Sequence, residues 1–310
     1  MKLSVIVPCL NAEATIAEQL EALAAQQWSE PWELIISDNG STDHSVEVAR
    51  QFENRFLKFR VVDASDRKGG AHACNVGVRA ATAEAVAVCD ADDEVAPGWV
   101  ASMGEALFKY DVGCGQMRFD KFNEPDRAKK SAEGWKDGLY KGRFLPGGGS
   151  GNFGIRRWVH EAIGGFDESL PHAYDADYFW RLQLEGFKLH YLPEAVVQVR
   201  IARVNPSLPL LYRRGRNRAA SNYWCYKRYR HLGMLPPSPL SKSLTQWSYA
   251  FRRAVVAILL YRKQKKVEWL HPLAQRTGDL VGQLQGRMTN PCQPYHPGQM
   301  GGIGTEKRSL

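Results

Sequence analysis

Three carboxylates follow an apolar stretch of the sequence, AVAVCDADDEVAPGWV at residues 85–100. Asp90, Asp92 and Asp93 come directly after a segment typical of a buried strand. Two carboxylates one residue apart can point from a tight turn toward one spot, and oxygen ligands of this kind suit Mg2+ or Mn2+, which usually share phosphate oxygens with a protein. The other interpretation is a solvated acidic turn that caps a helix beginning near Pro97.

The segments before these carboxylates predict a parallel α/β sheet. Short apolar runs alternate with stretches of helical periodicity, as in LSVIVPCL followed by AEATIAEQLEALAAQQ. This alternation predicts β-α-β units with helices on both faces of the sheet, and such sheets bind ligands outside the carboxyl ends of their strands. The four predicted strands are followed by polar residues, which are Asn11, Asp38 and Asn39, Asp63 and Asp66, and Asp90 and Asp92. We therefore expect the carboxylates at the ligand-binding edge.

Six segments of the sequence occur together in a fixed order. They are SVIVPCLNA, ELIISDNGSTD, KGGAHACNVGVRAA, AVCDADDE, GGFDESL and YDADYFWRLQLEGFKLHYLPEAVV. In this order and approximate spacing the chain resembles the family 2 inverting glycosyltransferases, over roughly residues 2–200. The resemblance implies the GT-A fold, an α/β class with a Rossmann-like, mostly parallel central sheet and helices on both faces. It also implies a UDP- or GDP-sugar donor.

The resemblance assigns roles to single residues. It implies a nucleotide-sugar pocket formed by Pro8, Asn11, Asp38, Asn39, Lys68, Asn75 and Asp90, with Asp90 reaching the ribose or the waters of a metal ion. It implies that Asp92 binds Mn2+ or Mg2+ with support from Asp93, and that Asp175 is the catalytic base.

The chemistry of the residues agrees with these roles. A divalent ion on Asp92 would neutralise the charge of a departing nucleoside diphosphate. Asp175 could take the proton of the acceptor hydroxyl, and attack opposite the diphosphate would invert the anomeric centre. The alternative for Asp175 and Asp177 is a pair of acids in the first turn of a helix. For Asp177, acceptor contact and helix capping are both open.

The acceptor half of the site is expected around the glycine-rich segment GLYKGRFLPGGGSGNFGIRR, residues 138–157. Its glycines could approach a ligand closely or form a lid, and a plain flexible connection is the alternative. Asn152 is a candidate contact for the donor sugar or the acceptor. Trp180 could stack on a sugar ring, although a large aromatic residue in an apolar helix more often belongs to the core.

The sequence departs from the family pattern at two places. Tyr174 stands where a Glu commonly precedes the catalytic base, and Val199 and Arg200 stand near the end of the last sheet strand, where a His is common. Arg200 or Arg203 could neutralise the diphosphate in place of that His. The chain also lacks the Gln-x-x-Arg-Trp motif of processive polysaccharide synthases, so we expect transfer of a single sugar.

The C-terminal third differs in composition from the rest. The segments LLYRRGRNRAASNYWCYKRYRHLG and WSYAFRRAVVAILLYRKQKKVEWL combine aromatic, apolar and basic residues on predicted helices near 207–231 and 247–266. Basic amphipathic helices can lie in a membrane interface, or they can pack on the catalytic domain with solvated basic faces, and both interpretations are open. Nucleic acid is disfavoured as a partner. The Gly- and Pro-rich tail from about Thr289 is expected to be disordered.

General properties of the chain constrain its location. The net charge of +8 suits anionic partners, and six scattered cysteines indicate reduced thiols in a cytoplasmic protein. The N-terminus does not resemble a signal peptide, and the longest apolar run, AVVAILLY, is too short to span a bilayer. We expect a cytoplasmic protein, either free or peripheral at the inner face of the membrane.

These observations lead to one assignment of domains and function. We expect a GT-A catalytic domain at 1–205, with a nucleotide-binding half at 1–95 and an acceptor half at 96–205, followed by a basic helical appendage at 206–288 and a disordered tail at 289–310. The expected function is metal-dependent, inverting transfer of one sugar to a hydroxyl of a saccharide or a lipid-linked acceptor. The alternative is a non-catalytic homologue that binds nucleotide-sugars or carbohydrates. A nucleotidyltransferase is disfavoured because the N-terminal loop lacks the Gly, Arg and Lys residues that would hold a triphosphate.

Overall fold

The computed structural model describes residues 1–135, 138–201, 207–260 and 270–298. Within these ranges the chain forms one mixed sheet of eight strands with flanking helices. The strands are β1 (Leu3–Cys9), β2 (Trp32–Asp38), β3 (Phe59–Asp63), β4 (Ala85–Cys89), β5 (Glu94–Val95), β6 (Val112–Arg118), β7 (Asn152–Arg156) and β8 (His190–Gln198). The helices are α1 (Ile16–Ala24), α2 (Ser45–Arg50), α3 (Gly70–Ala80), α4 (Trp99–Lys109), α5 (Pro125–Ala132), α6 (Arg157–Ala162), α7 (Tyr174–Leu184), α8 (Leu208–Tyr229), α9 (Leu240–Leu260) and α10 (Leu270–Met288).

The first four strands form the parallel half of the sheet, as the sequence predicts. They lie in the order β3-β2-β1-β4, and Ile6 of β1 pairs with Ile35 of β2 on one side and Val88 of β4 on the other. All three side chains are fully buried. Continuous apolar runs form these strands because helices cover both faces of a parallel sheet. The carboxyl ends of β1, β2, β3 and β4 consequently share one edge.

The second half of the sheet is mixed. β7 runs antiparallel between β4 and β6, and β8 runs parallel to β6. The two-residue strand β5, directly after the Asp-rich turn, pairs antiparallel with the end of β8, where Glu94 lies opposite Gln198. This pairing brings the residues after β8 beside the carboxylates after β4.

The chain separates into two compact units. The first comprises Met1–Glu168 and Tyr174–Ile201 together with the described residues from Pro297 on, and it contains the whole sheet. The second comprises Ser169–Ala173 and Ala202–His296, and it contains helices α8, α9 and α10. No helix among the described residues combines the length and the hydropathy that a membrane span requires.

The helical unit is built on close contact between α8 and α10. Gly278 and Gly282 of α10 face the backbone of α8, and a Cβ atom at these positions would collide with the carbonyl oxygens of Tyr212 and Arg216. Gly286, one turn further on, lies against the side chain of Tyr223. Four-residue spacing places the three glycines on one side of α10, so the two helices approach backbone to backbone.

The segment after α10 packs on the same unit, although the sequence predicts disorder from about Thr289. Cys292 and Tyr295 are buried, and the backbone N–H of Tyr295 donates to the carbonyl oxygen of Arg228 (3.3 Å). An aromatic ring and a thiol supply enough apolar surface to order this stretch, despite its Gly and Pro content. The rest of the predicted tail, residues 299–310, lies outside the described residues, as do 261–266 of the second predicted helix.

A buried carboxylate at the start of β2 pairs with two partly exposed cations. Glu33 is fully buried and accepts hydrogen bonds from the Ser4 hydroxyl (2.6 Å) and from the backbone N–H (2.7 Å) and hydroxyl (2.6 Å) of Thr82. Its carboxylate also pairs with Lys58 (3.1 Å) and Arg60 (3.0 Å). Burial alone would raise the pKa of Glu33, but the hydrogen bonds from Ser4 and Thr82 outweigh it and bring the pKa to about 2.

We expect Glu33→Gln to lower the free energy of unfolding by about 3 kcal/mol at pH 7, because it leaves two cations around a neutral amide. The depressed pKa means that the Glu33 carboxylate stabilises the fold fully above its unfolded pKa near 4.5, and that this stability is lost as the pH falls toward 2. Urea unfolding at pH 7 and pH 3 measures both effects. Between these pH values, the free energy of unfolding should fall less in the variant than in the wild type. Exposed Glu53→Gln is the control, and equal stability of the two variants would contradict the assigned role.

Candidate active site

The Asp-rich turn after β4 is held in place by a residue of α1. Gln19 is fully buried, its Nε2 donates to the carbonyl oxygen of Asp90 (2.9 Å), and its Oε1 accepts from the backbone N–H of Val95 (2.9 Å). The Gln19 amide therefore bridges the two ends of the turn. Sequence reasoning missed this residue, although a glutamine between Ile16 and Leu20 on the apolar face of α1 is a detectable signal.

The three aspartates of the turn have different surroundings. Asp92 is exposed, Asp90 is half-buried and Asp93 is buried. Asp93 Oδ1 accepts a hydrogen bond from the backbone N–H of Arg200 (2.7 Å). The buried carboxylate of Asp93 thus connects the turn to the end of β8, whereas the carboxylate of Asp92 is exposed. We therefore assign Asp93 a supporting role and do not propose it as a direct metal ligand.

Several carboxyl groups lie close together at this edge of the sheet. Burial raises the pKa of Asp90, and the nearby carboxylates of Asp92 and Asp175 raise it further. Burial and the charge of Asp90 likewise raise the pKa of Asp93, against the opposing hydrogen bond from Arg200. The Tyr174 side chain hydrogen-bonds to Ser150, and the adjacent Gly151 lies against the Asp90 carboxylate, so the residues after β4 lie close to the N-terminus of α7. A bound cation would relieve the repulsion among these carboxylates.

Arg200 lies beside this cluster. Its guanidinium stacks over the ring of Phe122 (3.8 Å), its Nε donates to the carbonyl oxygen of Asp92 (3.0 Å), and its Nη2 pairs with Glu18 (2.5 Å). The pairing of β5 with β8 fixes the backbone of Arg200. The Arg200 guanidinium therefore lies close to the position where the family commonly has a His. Arg203, the other candidate, lies outside the described residues.

Asp175 lies in the first turn of α7. Its Oδ1 accepts a hydrogen bond from the backbone N–H of Ala176 (2.8 Å). Tyr174, which replaces the common Glu, places its hydroxyl against Gly70 of α3, where a Cβ atom would collide with the Tyr174 ring. Burial raises the pKa of Tyr174, so its hydroxyl is neutral and cannot add another negative charge beside Asp90 and Asp175.

Four of the predicted nucleotide contacts lie at the carboxyl edge of β1 and β2. Pro8 is next to last in β1, and Asn11 has a positive φ of 53°, which asparagine tolerates, with its Oδ1 accepting from Thr42 N–H (2.7 Å). The Asp38 carboxylate accepts two backbone N–H groups of the turn after β2 (3.2 Å each). The Lys68 ammonium lies next to Gly40 of that turn, because a Cβ atom added to Gly40 would be 3.7 Å from it.

The side-chain amide of Asn39, a predicted pocket contact, hydrogen-bonds to backbone groups of the protein. Its Nδ2 donates to the carbonyl oxygens of Ala64 (2.6 Å) and Arg67 (2.7 Å), and its Oδ1 accepts from the backbone N–H of Gly69 (2.7 Å). The buried amide is thereby saturated by the protein itself. Asn39 holds the loop between β3 and α3, which carries Lys68, and we do not propose a ligand contact for it.

Asn75 and Asn152 are saturated in the same way. Asn75 binds both backbone groups of Phe166 (3.0 and 2.9 Å) and the Glu168 carboxylate (2.8 Å). Asn152 is fully buried, accepts from Trp99 Nε1 (2.8 Å) and donates to two backbone carbonyl oxygens within the sheet (2.9 Å each). Both N–H groups of each amide already donate within the protein, so we do not propose either residue as a contact for nucleotide or sugar.

The acceptor candidates on α7 face the interior. Asp177 is fully buried and pairs with Arg181 one turn later (2.8 Å), which favours the structural interpretation over acceptor contact. Trp180 is 7% exposed, donates to the carbonyl oxygen of Leu145 (2.8 Å) and meets Phe144 edge to face. Trp180 is therefore a core residue, as the more favoured interpretation of the sequence had it.

Contacts within the protein require glycine at two positions of the segment before β7. A Cβ atom at Gly151 would collide with the carboxylate of Asp90, and one at Gly148 would meet Cys114 Sγ and the ring of Phe179. Glycine at these two positions lets the backbone pass close to the side chains of Cys114, Phe179 and Asp90. Gly151 thereby leaves room for the Asp90 carboxylate.

The carboxylates at this edge fit a divalent cation that is shared with a phosphate ligand. Across the described ranges of the chain, no group of three or more His, Cys, Asp and Glu side chains is placed to hold a metal ion by itself. The donors present are the exposed Asp92 and the half-buried Asp90. Mg2+ and Mn2+ commonly take one or two carboxylates and complete their coordination with water and substrate phosphates, so this donor set suits them.

Comparison with solved structures shows that the fold occurs in known glycosyltransferases. The crystal structure of S. aureus TarS 1-349 has a TM-score of 0.54 and 17% identity, and the match covers 93% of this chain and 92% of that one. The mannosyltransferase PcManGT from Pyrobaculum calidifontis, in complex with GDP-Man and Mn2+, has a TM-score of 0.54 and 18% identity, with 90% and 69% covered. The predicted GT-A fold, with C-terminal helices, is confirmed.

Comparison of sequences identifies the family. The chain is 32% identical over 165 residues to the uncharacterized glycosyltransferase YibD of Escherichia coli K12, a match that covers 51% of this chain and 46% of that protein. The chain thus spans less than half the length of this relative. Residues 4–164, more than half of the sequence, match the family described as Glycosyl transferase family 2. The resemblance inferred from the six segments is confirmed, and the chain belongs to glycosyl transferase family 2.

Proposed function

We propose that this chain is a metal-dependent, inverting glycosyltransferase that moves one sugar from a UDP- or GDP-sugar to a hydroxyl of a saccharide or lipid-linked acceptor. The observation that carries the proposal is that Asp90, the strand-end carboxylate next to Asp92 in the turn, interacts with the charge of Asp175. A candidate base and a candidate cation site then lie at the same edge of the sheet, where a nucleotide-sugar would place its anomeric carbon between them.

In the proposed complex, Pro8, Asn11, Asp38 and Lys68 bind the nucleotide at the edge of β1 and β2. S. aureus TarS has been solved in complex with UDP-GlcNAc and PcManGT with GDP-Man and Mn2+, which supports a nucleotide-sugar donor of either kind. Asp92 would hold a divalent ion, and Asp90 would bind waters of that ion or the ribose. The bound ion would supply Lewis-acid stabilisation of the negative charge that develops on the diphosphate.

In the proposed transfer step, the acceptor oxygen attacks the anomeric carbon while Asp175 takes the hydroxyl proton. The bond between the anomeric carbon and the diphosphate oxygen breaks on the opposite face, and the electron pair leaves with the nucleoside diphosphate. The configuration at the anomeric carbon is thereby inverted. Arg200, oriented by Phe122 and by the carbonyl oxygen of Asp92, adds a fixed positive charge near the departing diphosphate.

We also propose a division of labour along the chain. Residues 1–95 bind the nucleotide, 96–205 bind the acceptor, and 206–288 form a basic helical appendage, to which the packing of Cys292 and Tyr295 adds the segment up to His296. All six cysteines are buried thiols, which supports the proposal of a reducing, cytoplasmic location.

A panel of UDP- and GDP-sugars tests the function. With Mn2+ present, we expect release of nucleoside diphosphate from one or a few donors, stimulation by an acceptor and loss of turnover in EDTA. Isothermal titration of the same donors separates enzyme from binder. Tight binding without turnover of any donor, with or without saccharide acceptors, would favour a non-catalytic homologue, to which the Tyr174 replacement lends support. Turnover that persists in EDTA would contradict metal dependence.

A further inference from the structure

The charges of this protein are divided unequally between its two units. Residues 202–296 contain 17 Lys and Arg but only two acids, Glu268 and Asp279, whereas the rest of the chain contains 24 Lys and Arg and 31 Asp and Glu. The net charge of +8 therefore combines a strongly basic helical segment with an acidic remainder. Since a charge imbalance of this size attracts anions over a Debye length of about 8 Å at physiological salt, the helical unit is the part that an anionic surface would bind.

Helix α9 presents part of this charge together with exposed apolar side chains. Tyr249, Arg252, Arg253 and Val256 follow one another at helical spacing and form one face, which we call the α9 face. Tyr249 is 64% exposed and Val256 is 51% exposed, and the guanidinium of Arg253 lies 5.8 Å from the centre of the Tyr249 ring. Large apolar groups at such exposure, flanked by arginines, are typical of a helix that lies at a membrane interface.

The orientation of the α9 face is set by contacts on the opposite side of the helix. Ala250 and Ala254 are buried, and Trp247 Nε1 donates to Thr277 Oγ1 of α10 (3.0 Å). Near the N-terminus of α9, a buried hydrogen bond joins Ser243 to α10 (2.7 Å). These contacts prevent α9 from rotating to bury Tyr249 and Val256 within its own unit.

A second row of exposed apolar residues borders the α9 face. Leu244, Phe251 and Val255 are 47%, 45% and 38% exposed, and their spacing of seven and four residues aligns them along the helix. The sequence directly after α9 adds four basic residues, which are Arg262, Lys263, Lys265 and Lys266. Apolar surface and positive charge therefore occur on the same stretch of chain.

We propose that α9 binds the surface of an anionic lipid membrane, with Tyr249 and Val256 at the boundary of headgroups and acyl chains and Arg252 and Arg253 on the headgroup phosphates. The exposed aliphatic side chains favour lipid over nucleic acid, which has no acyl layer to receive them. The dense positive charge disfavours a second copy of the same helical unit, because two such units would repel each other. The inference goes beyond sugar transfer, and its test requires no donor or acceptor.

Co-sedimentation of the full chain with vesicles tests the charge component. We expect binding to vesicles of phosphatidylcholine and phosphatidylglycerol at 3:1, little binding to phosphatidylcholine alone, and release as NaCl rises. Arg252→Glu combined with Arg253→Glu should lower the partition coefficient by about tenfold or more. The matched control is Lys129→Glu combined with Lys130→Glu, the same charge change at adjacent exposed residues of α5. Equal losses in the two double variants would overturn the assignment of this face.

The apolar component needs a separate variant. Tyr249→Ser combined with Val256→Ser should weaken binding to the anionic vesicles at every salt concentration, whereas Leu57→Ser, at a site 76% exposed in the other unit, should not. Unchanged binding of the serine double variant, or failure of the wild type to bind anionic vesicles, would overturn the proposal. So would a wild-type dimer that this variant converts to a monomer in size-exclusion chromatography, because the face would then be an interface between copies. Far-UV circular dichroism verifies that each variant is folded.

Discussion

Asp175→Asn is expected to reduce sugar transfer by about 100-fold or more while leaving the affinity for nucleotide-sugar and Mn2+ close to that of wild type. The amide retains an oxygen that can accept the Ala176 N–H, so the first turn of α7 should remain intact. It cannot take the proton of the acceptor hydroxyl. The substitution leaves the proposed nucleotide contacts at β1 and β2 and the carboxylate of Asp92 in place, so donor binding should persist.

Two measurements on this variant separate the possible outcomes. Product formation with saturating donor and acceptor reports the chemical step, and calorimetric titration with donor and Mn2+ reports binding. Asp177→Asn is the neighbouring control, because it disrupts the buried pair with Arg181 and should lower stability rather than the transfer rate of the folded protein. Loss of binding and transfer together in Asp175→Asn would mean a structural role, and unchanged transfer would mean that the base lies elsewhere.

Asp92→Asn is expected to abolish metal-dependent turnover, with a loss on the order of 1,000-fold. Neutralising a departing diphosphate contributes several kcal/mol, and each 1.4 kcal/mol or so is a factor of about ten in rate. Because Asp92 is exposed, the substitution should leave the unfolding midpoint close to that of wild type. Titration of Mn2+ in the presence of nucleotide should show weakened metal binding.

The control for Asp92→Asn removes the same charge from another exposed carboxylate, Asp120. Asp120→Asn should retain full turnover and Mn2+ affinity. If Asp92→Asn kept activity near that of wild type at saturating Mn2+, the assignment of Asp92 as metal ligand would be wrong. A loss of turnover with unaltered Mn2+ affinity would contradict it as well.

The parallel half of the fold was predictable because its signals are local. Each of β1 to β4 is a short apolar run followed by a polar residue, and burial from both faces requires such runs. The placement of Asp38, Asp90 and Asp92 at one edge followed from the parallel arrangement alone. The antiparallel insertion of β7 and the pairing of β5 with β8 depend on contacts between residues about 60 to 100 positions apart, which a periodic pattern does not encode.

The side-chain roles at the site were less predictable than its location. Asn39, Asn75 and Asn152 are amides whose partners are loop and strand backbone groups, so the sequence does not show that their hydrogen-bonding capacity is already used. Gln19 was missed because its partner, the carbonyl group of Asp90 in the Asp-rich turn, lies 71 residues away in the sequence. The position of the charged residues at the strand ends was more predictable, because burial without compensation costs a carboxylate more than it costs an amide.

The glycine contact between α8 and α10 limits which parts of the helical unit can change. Any side chain at Gly278 or Gly282 would push the helix backbones apart, so these positions cannot vary without rebuilding the unit. Tyr249 and Val256 point away from this contact and could be exchanged at little cost in stability. Because the proposed membrane-binding face lies on α9, related enzymes could differ in their membrane binding through changes in α9 alone. A designer could alter that face without disturbing the contact between α8 and α10.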